Sequence, residues 1–308
     1  MPPPVKSVMY LEKFVLPADE NDVFLKRYYK NGRYVDNEYP IGIFNALELA
    51  ELDFEKVTLL CGGNGCGKST LLNLIAHKLK LKRFAPFNGS ETFAEFAADC
   101  SVRLWTNEEG KTPGIPRGSA IITSDDVFEY MLSVREANNG LRADKPRALE
   151  EFGKLARTPM MKLSGLSDEE LFAFKKQLEA KRAARRRGSV RKYLKKTLGE
   201  ETRLFSNGET ALIYFEEKLQ YDNLYLLDEP ENSLSPLMQL QLKEMLERLS
   251  RYCGCQFIIA THSPFLSALE GAKIYDMSVV PVDVRKWWQL SSSRTYFEFF
   301  HKHRDLFL

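Results

Sequence analysis

Four short apolar runs punctuate the chain, and each ends abruptly in polar residues. They are VTLL (57–60) before CGGNGCGKST, SAIIT (119–123) before SDDVF, LYLL (224–227) before DEPENS, and QFIIA (256–260) before THSP. Compact apolar runs bounded by turn signals predict strands buried on both faces, as in a parallel sheet. Residues 5–16 alternate and predict a further strand, closed by a turn at Pro17–Asp22. Between the runs, residues 69–80 carry Leu71, Leu72, Leu74, Ile75 and Leu79 at helical spacing, the pattern of a helix packed on a sheet. Residues 81–118, broken by Pro86, Pro113, Pro116 and several glycines, predict irregular structure. SDDVFEYML then opens a helix with acids in its first turn.

From about 127 to 205 the pattern becomes helical, charged and poor in apolar residues. Ser167 and Glu170 fit a capping box, and Leu171, Phe174 and Leu178 form an apolar face little longer than one heptad. That face is too short for a long coiled-coil arm. The pattern therefore predicts an α/β domain over 1–308 with a helical, basic insertion at 127–205.

Composition changes this picture in one place. At 308 residues, 44% hydrophobic and 28% charged, the chain has an ordinary soluble-protein balance and a net charge of +2. Between Lys175 and Lys196, however, eleven basic residues face one acid, Glu179, and the remainder of the chain carries about −8. Such a run is either a solvated helix surface or a phosphate-contacting surface for nucleic acid or an acidic partner. Tyr193 is its one aromatic, so stacking on single-stranded bases is not indicated. Five scattered cysteines (Cys61, Cys66, Cys100, Cys253, Cys255) lack the paired spacing of a zinc site and read as reduced thiols. No run approaches the roughly 18 apolar residues of a membrane span, and MPPPVKSVMY lacks the apolar core of a signal peptide. The expectation is a cytoplasmic protein without a membrane segment.

The chemistry concentrates where the apolar runs end. Gly62, Gly67, Lys68 and Ser69 have the spacing G-x-x-x-x-G-K-S between a strand and a helix. There, glycines let backbone N–H groups converge on phosphate oxygens at a helix N-terminus. Lys68 reaches the β- and γ-phosphates and Ser69 takes a place on Mg²⁺. The triphosphate grip is assigned to Gly62, Gly63, Asn64, Gly65, Cys66, Gly67, Lys68, Ser69 and Thr70. Asp228 closes the third run and is the expected second holder of Mg²⁺, through water. Glu229 beside it is the expected base or water-orienting group for attack on the γ-phosphate. His262, alone among four histidines, follows a core-type strand and is expected to contact the γ-phosphate or the attacking water. Phe44 or Tyr39 is a candidate for stacking on the nucleotide base.

In this order the phosphate-type loop, LFSNGE (204–209), LLDEPENSL (226–234) and IIATHSP (258–264) resemble the ATP-binding cassette superfamily. Within it they look most like stand-alone prokaryotic AAA-type ATPases related to the RecF, OLD and SMC groups. IGIF, IITSDDVF, SNGETAL, GAKIYD and YFEFF extend the resemblance over nearly the whole chain. It implies a P-loop NTPase of the cassette type with a helical insertion subdomain, using ATP and Mg²⁺. It also implies that two cassettes close head to tail, with the LSGGQ-like motif of one facing the γ-phosphate held by the other. The matching positions are Ser206, Gly208 and Glu209, and a homodimer, or a heterodimer with a related ATPase, follows. The resemblance points to genome maintenance or anti-phage defence through nucleic acid or an effector protein; the alternative is the cytosolic ATP-binding subunit of a transporter. Two departures bear on that choice. No glutamine occurs from Cys61 to Lys176, so Ser124 or Asp125 occupies the glutamine-loop position, and Ser235 stands where transporters usually place aspartate.

Overall fold

The computed structural model of the chain describes residues 8–17, 39–87, 89–160, 168–185, 190, 193–194 and 207–307. In order, the first half forms β1 (Leu11–Val15), β2 (Glu51–Asp53), β3 (Val57–Cys61), α1 (Lys68–Leu79), α2 (Glu91–Asp99), β4 (Ser101–Leu104) and β5 (Ala120–Thr123). There follow α3 (Ser124–Arg157), α4 (Asp168–Arg185), α5 (Asn207–Lys218), β6 (Leu224–Asp228) and α6 (Pro236–Tyr252). The chain ends with β7 (Gln256–Thr261), α7 (Pro264–Ser267), β8 (Lys273–Asp276), β9 (Asp283–Val284) and α8 (Ser291–Lys302). It divides into two compact units: Met1–Glu129 with Asn207–Leu308, and Tyr130–Ser206.

The first unit is built on a six-stranded sheet of order β5-β6-β7-β3-β8-β9, parallel except for β9. Every residue of β3 and β7 is buried, as are the first four of β6. Burial on both faces explains why these strands read as unbroken apolar runs. The register pairs Cys61 with Thr261, Asp228 with Ala260 and Thr123 with Asp228. The carboxyl ends of four strands therefore share one edge, where open α/β sheets bind ligands.

Leu71, Leu72, Leu74 and Ile75 of α1 are fully buried in a core with Leu60, Ile121, Leu226 and Ile258. Truncating one of these leucines to alanine costs about 2–5 kcal/mol. A three-stranded antiparallel sheet of order β2-β1-β4 adds Leu11, Phe14 and Leu52 to this core. Gln256 ties the two sheets together. Its Oε1 accepts from Tyr10 N at 2.8 Å and Leu11 N at 2.9 Å, and its Nε2 donates to Leu11 O at 2.7 Å and Glu55 O at 3.1 Å. All of its hydrogen-bonding capacity is thus used at 0% exposure.

Several expectations need revision. Residues 81–118 are not wholly irregular, since they contain α2 and β4. Ser90 caps α2 by accepting from Phe93 N, and Phe93, Phe96 and Ala97 are buried at helical spacing. Nine residues were too short for that periodicity to stand out. The first strand is confined to Leu11–Val15, and most of the turn expected at Pro17–Asp22 lies outside the described residues. Phe44 is fully buried, 6.4 Å from Phe96, so it belongs to the core and cannot stack on a base. Tyr39 stacks on Phe93 at 6.0 Å and donates from its hydroxyl to Thr70 Oγ1 at 2.8 Å. Toward the C-terminus, Trp288, Tyr296, Phe297, Phe299, Phe300 and Phe307 are all exposed.

In the second unit, Ala148, Phe152, Ala180, Ala183, Tyr193 and Leu194 form a small core of their own. Lys176 Nζ pairs with Glu151 Oε1 at 2.6 Å, and Gln177 Nε2 donates to Pro159 O at 2.9 Å. The expected capping serine, Ser167, lies outside the described residues, as do Arg186, Arg187, Arg191, Lys192, Lys195 and Lys196.

Candidate nucleotide site

β3 delivers its last residue, Cys61, to the loop 62–67, and α1 leaves that loop at Lys68. Gly67 has φ +87°, and a Cβ there would lie 2.9 Å from Ile43 Cγ2, so only glycine suits this turn. No side chain caps α1 and its first turn carries no acid. Its leading N–H groups and the positive end of its dipole are therefore left without a competing protein anion on their own helix. Gly63, Asn64 and Gly65 are exposed, Gly62 and Cys66 partly so, and Thr70 is buried. Lys68 is 4% exposed; its ammonium donates to Gly62 O at 2.8 Å and Gly63 O at 2.9 Å, with Cys66 Sγ at 3.8 Å. The cation is held inside the loop by the loop's own carbonyls.

Across the sheet edge, Ser69 Oγ donates to Asp228 Oδ1 at 2.9 Å. Burial pushes the Asp228 carboxyl up to about 6; the Ser69 hydrogen bond opposes this, and the charges of Glu229 and Glu231 add to it. Glu229 follows with φ +47°, its N–H bonded to Ala260 O at 2.9 Å and its Oε2 accepting from Asn232 Nδ2 at 3.1 Å. His262 Nδ1 lies 3.5 Å from Glu229 Oε1 and 3.8 Å from Glu231 Oε1. Ser69, Asp228, Glu229 and His262 thus converge, with Lys68 one residue along α1.

Gly208 and Glu209 sit in the first turn of α5. A Cβ on Gly208 would collide with Met238 Sδ and lie 3.3 Å from Ser233 O. Ser206 lies outside the described residues. Ser124 begins α3 directly after β5, and Asp126 is the buried acid there, accepting from Thr123 N at 2.6 Å, Thr123 Oγ1 at 2.8 Å and Ala85 N. Ser235 caps α6, accepting from Met238 N, which accounts for a serine at that position.

Sequence reasoning missed Glu231, which is buried and bonded to the turn that carries His262. The EPE spacing was visible, but nothing in it separates an acid facing solvent from one folded under the neighbouring strand. Gln239, whose Oε1 accepts from Ser263 Oγ at 2.6 Å, was missed for the same reason.

Residues 50–232 match the family described as ABC transporter. The chain belongs to this family. It is an ATP-binding cassette ATPase, and residues 203–268 also match a family described as an AAA domain of AbiEii-toxin, type IV TA-system kind. The cassette is 26% identical over 211 residues to the ABC transporter ATP-binding protein/permease YOL075C of Saccharomyces cerevisiae, covering 68% of this chain and 14% of that protein. The chain therefore corresponds to a small part of this much longer relative. It is 25% identical over 234 residues to the achromobactin transport ATP-binding protein CbrD of Dickeya dadantii, covering 73% of this chain and 71% of that one. Among solved structures, the Smc head domain of Pyrococcus furiosus bound to the C-terminal domain of ScpA matches at 14% identity and TM-score 0.42, covering 96% of this chain and 99% of that one. Among the described residues of the cassette, no helix is long and apolar enough to cross a membrane.

Proposed function

We propose that this cassette is a non-transport ATPase in which nucleotide-driven pairing of two copies switches the state of a bound nucleic acid or effector protein. The observation that carries the ATPase part of the reading is the convergence of Ser69, Asp228, Glu229 and His262 at one sheet edge beside the Lys68 loop. A water oxygen attacks the γ-phosphorus, the bond from phosphorus to the β–γ bridging oxygen breaks, and ADP leaves with that electron pair. Glu229 takes the proton lost by the water. With Nδ1 of His262 turned toward the carboxylates, Nε2 is the nitrogen left for a γ-phosphate oxygen or the water. Lys68 exchanges its loop carbonyls for β- and γ-phosphate oxygens.

Among the described residues no cluster of three or more histidine, cysteine or acidic side chains is placed to hold a metal ion. Ser69 and Asp228, whose side-chain oxygens lie 2.9 Å apart, are the groups that would hold Mg²⁺, an ion that takes one or two protein groups and completes its shell with water and phosphate. When bound, the ion neutralises charge on the β- and γ-phosphate oxygens.

The site is completed in trans by Ser206, Gly208 and Glu209 of the second copy; Gly208 and Glu209 lie in the first turn of α5, whose dipole favours anions. Closure of the pair follows from binding two nucleotides, and hydrolysis releases it. Genome maintenance and defence against phage or plasmids are the settings this mechanism suits, in the cytoplasm. The direct passage of β5 into α3 at Ser124, with no glutamine loop, supports a role other than transport. A second reading, the ATP-binding subunit of a transporter, is favoured by the transport role named for the Dickeya relative. The test is Glu229→Gln in saturating ATP, followed by light scattering. A stable dimer that retains ATP and co-purifies with nucleic acid or a soluble protein is expected, and a monomer with bound ATP overturns the proposal.

A further inference from the structure

Glu231 is a buried carboxylate at this edge to which the reaction above gives no task. Its side chain is 4% exposed. One oxygen, Oε1, accepts three hydrogen bonds, from Thr261 Oγ1 at 2.6 Å, His262 N at 2.9 Å and Ser263 N at 3.0 Å. The other, Oε2, is buried with no hydrogen-bond partner among the described residues. A buried acceptor left unpaired opposes folding, so this carboxylate is not placed where its own bonding would be best satisfied. All of its bonding is directed at the turn that carries His262.

The same loop carries Glu229, held in the left-handed region at φ +47°. Non-glycine residues rarely adopt that conformation unless the surroundings impose it, and such positions gather at functional sites. Here the surroundings include Glu229 N bonded to Ala260 O at 2.9 Å and Leu234 N bonded to Glu231 O at 2.9 Å. From the far side, Ser263 Oγ donates to Gln239 Oε1 at 2.6 Å, tying the turn to α6. Residues 229–234 and 260–263 are thereby one hydrogen-bonded body, and Glu231 Oε1 is the atom on which most of its cross-links meet.

We propose that Glu231 is the positioning residue for His262. By clamping the backbone of residues 261–263 it keeps Nδ1 within 3.5 Å of Glu229 Oε1, so that the histidine and the catalytic carboxylate act as a unit. Glu231 touches neither nucleotide nor water in this role. The inference rests on the assignment of Glu229 and His262 to hydrolysis given above.

The experiment compares Glu231→Ala, Glu231→Gln and Thr261→Val with His262→Ala, Glu229→Gln and the double variant Glu231→Ala/His262→Ala. Steady-state ATPase kinetics, affinity for a nonhydrolysable ATP analogue and thermal melting are read for each. Glu231→Ala is expected to lower kcat about 10–100-fold, while KM and analogue affinity stay within about twofold. Glu231→Gln keeps the acceptor at Oε1 and is expected to restore most of kcat. Thr261→Val keeps the shape but removes the hydroxyl that donates to Glu231 Oε1 and accepts from Ser263 N at 3.0 Å, and it is expected to fall between wild type and Glu231→Ala, which keeps the test open if the alanine variant does not fold. In the His262→Ala background, Glu231→Ala is expected to cost less than about twofold more, because the two residues act on one path. A full additional loss in that background overturns the proposal, and so does an unchanged kcat in a Glu231→Ala or Thr261→Val protein that melts earlier. If Glu229→Gln and His262→Ala themselves hydrolyse ATP at the wild-type rate, the underlying assignment falls instead.

Discussion

Ser69 Oγ donates to Asp228 Oδ1 over 2.9 Å, joining the first turn of α1 to the last residue of β6. The bond connects the phosphate loop to the acidic end of the central sheet, and it does so around a carboxyl that burial has pushed up to about 6 from an ordinary 3.8. A carboxylate so placed is poorly solvated and well suited to a cation. The Ser69 hydroxyl and the Lys68 ammonium help the charged form, and Glu229 and Glu231 oppose it.

That arrangement sets the pH dependence of the nucleotide-free, metal-chelated protein. Between about pH 4 and pH 6 the folded chain keeps a proton at Asp228 that the unfolded chain has lost. The contribution of this group to stability is fully present below its unfolded pKa and is lost as pH rises through about 6. Asp228→Asn removes the desolvated charge and should stabilise the chelated protein by up to about 3 kcal/mol at pH 7.5, with the gain shrinking toward pH 4. Urea unfolding of both proteins in EDTA at the two pH values checks this. The same gain at both ends would mean that Asp228 does not titrate as its burial implies. The variant should also lose Mg²⁺-dependent turnover at neutral pH.

Much of the site was legible because buried parallel strands write themselves as uninterrupted apolar runs, and the residues that follow them sit at one edge. Lys68, Asp228, Glu229 and His262 were singled out that way as candidates, and the structure brings them together. α2 was not, because nine residues hold only two turns of periodicity around Phe93 and Phe96. Phe44 misled because an aromatic before a phosphate loop has the same sequence whether its ring faces a ligand or, as here, Phe96. Glu231 was overlooked because its partners, at Thr261, His262 and Ser263, are about thirty residues away and reach it only once β6 and β7 pair.

Thiol chemistry offers an independent view of the loop. Cys61 is 2% exposed, and burial pushes its thiol up to about 12, whereas Cys66 is half-buried beside the Lys68 ammonium at 3.8 Å. Iodoacetamide at pH 8.5 should therefore label Cys66 and the half-buried Cys253, and spare Cys61, Cys100 and Cys255 until denaturant is added. Saturating ATP should slow labelling of Cys66 and leave Cys253 unaffected, as read by peptide mass spectrometry. Equal protection of both thiols would point to a global change and not to a ligand seated in the loop.

Gly208 offers a packing test of the α5 turn. The collision of an added Cβ with Met238 Sδ, together with Ser233 O at 3.3 Å, leaves the thioether as the group that can give way. Gly208→Ala is expected to destabilise the protein by about 1–3 kcal/mol. Combining it with Met238→Ala should recover part of that loss, a positive coupling in a double-variant cycle by urea denaturation. Strict additivity would show that the methionine is not what Gly208 accommodates.

The basic run separates into cations that are committed and cations that are not. Lys176 is held by Glu151 at 2.6 Å, an ion pair that raises its pKa, whereas Lys175 and Arg182 on α4 are exposed. If the run binds phosphates, reversing Lys175, Arg182, Arg185, Arg186 and Arg187 to glutamate should weaken nucleic-acid binding. The slope of log K against log salt should then flatten by about 0.7–0.9 for each phosphate no longer neutralised. Lys176→Ala should change that slope much less, since its charge already faces a protein acid. The exposed Lys176–Glu151 pair should cost at most about 1 kcal/mol to remove. Fluorescence anisotropy with labelled single- and double-stranded oligonucleotides at several salt concentrations measures both effects. An unchanged slope, or no binding by wild type at low salt, would make the run a solvated or protein-facing surface, and the load moved by the ATPase would have to be sought among proteins.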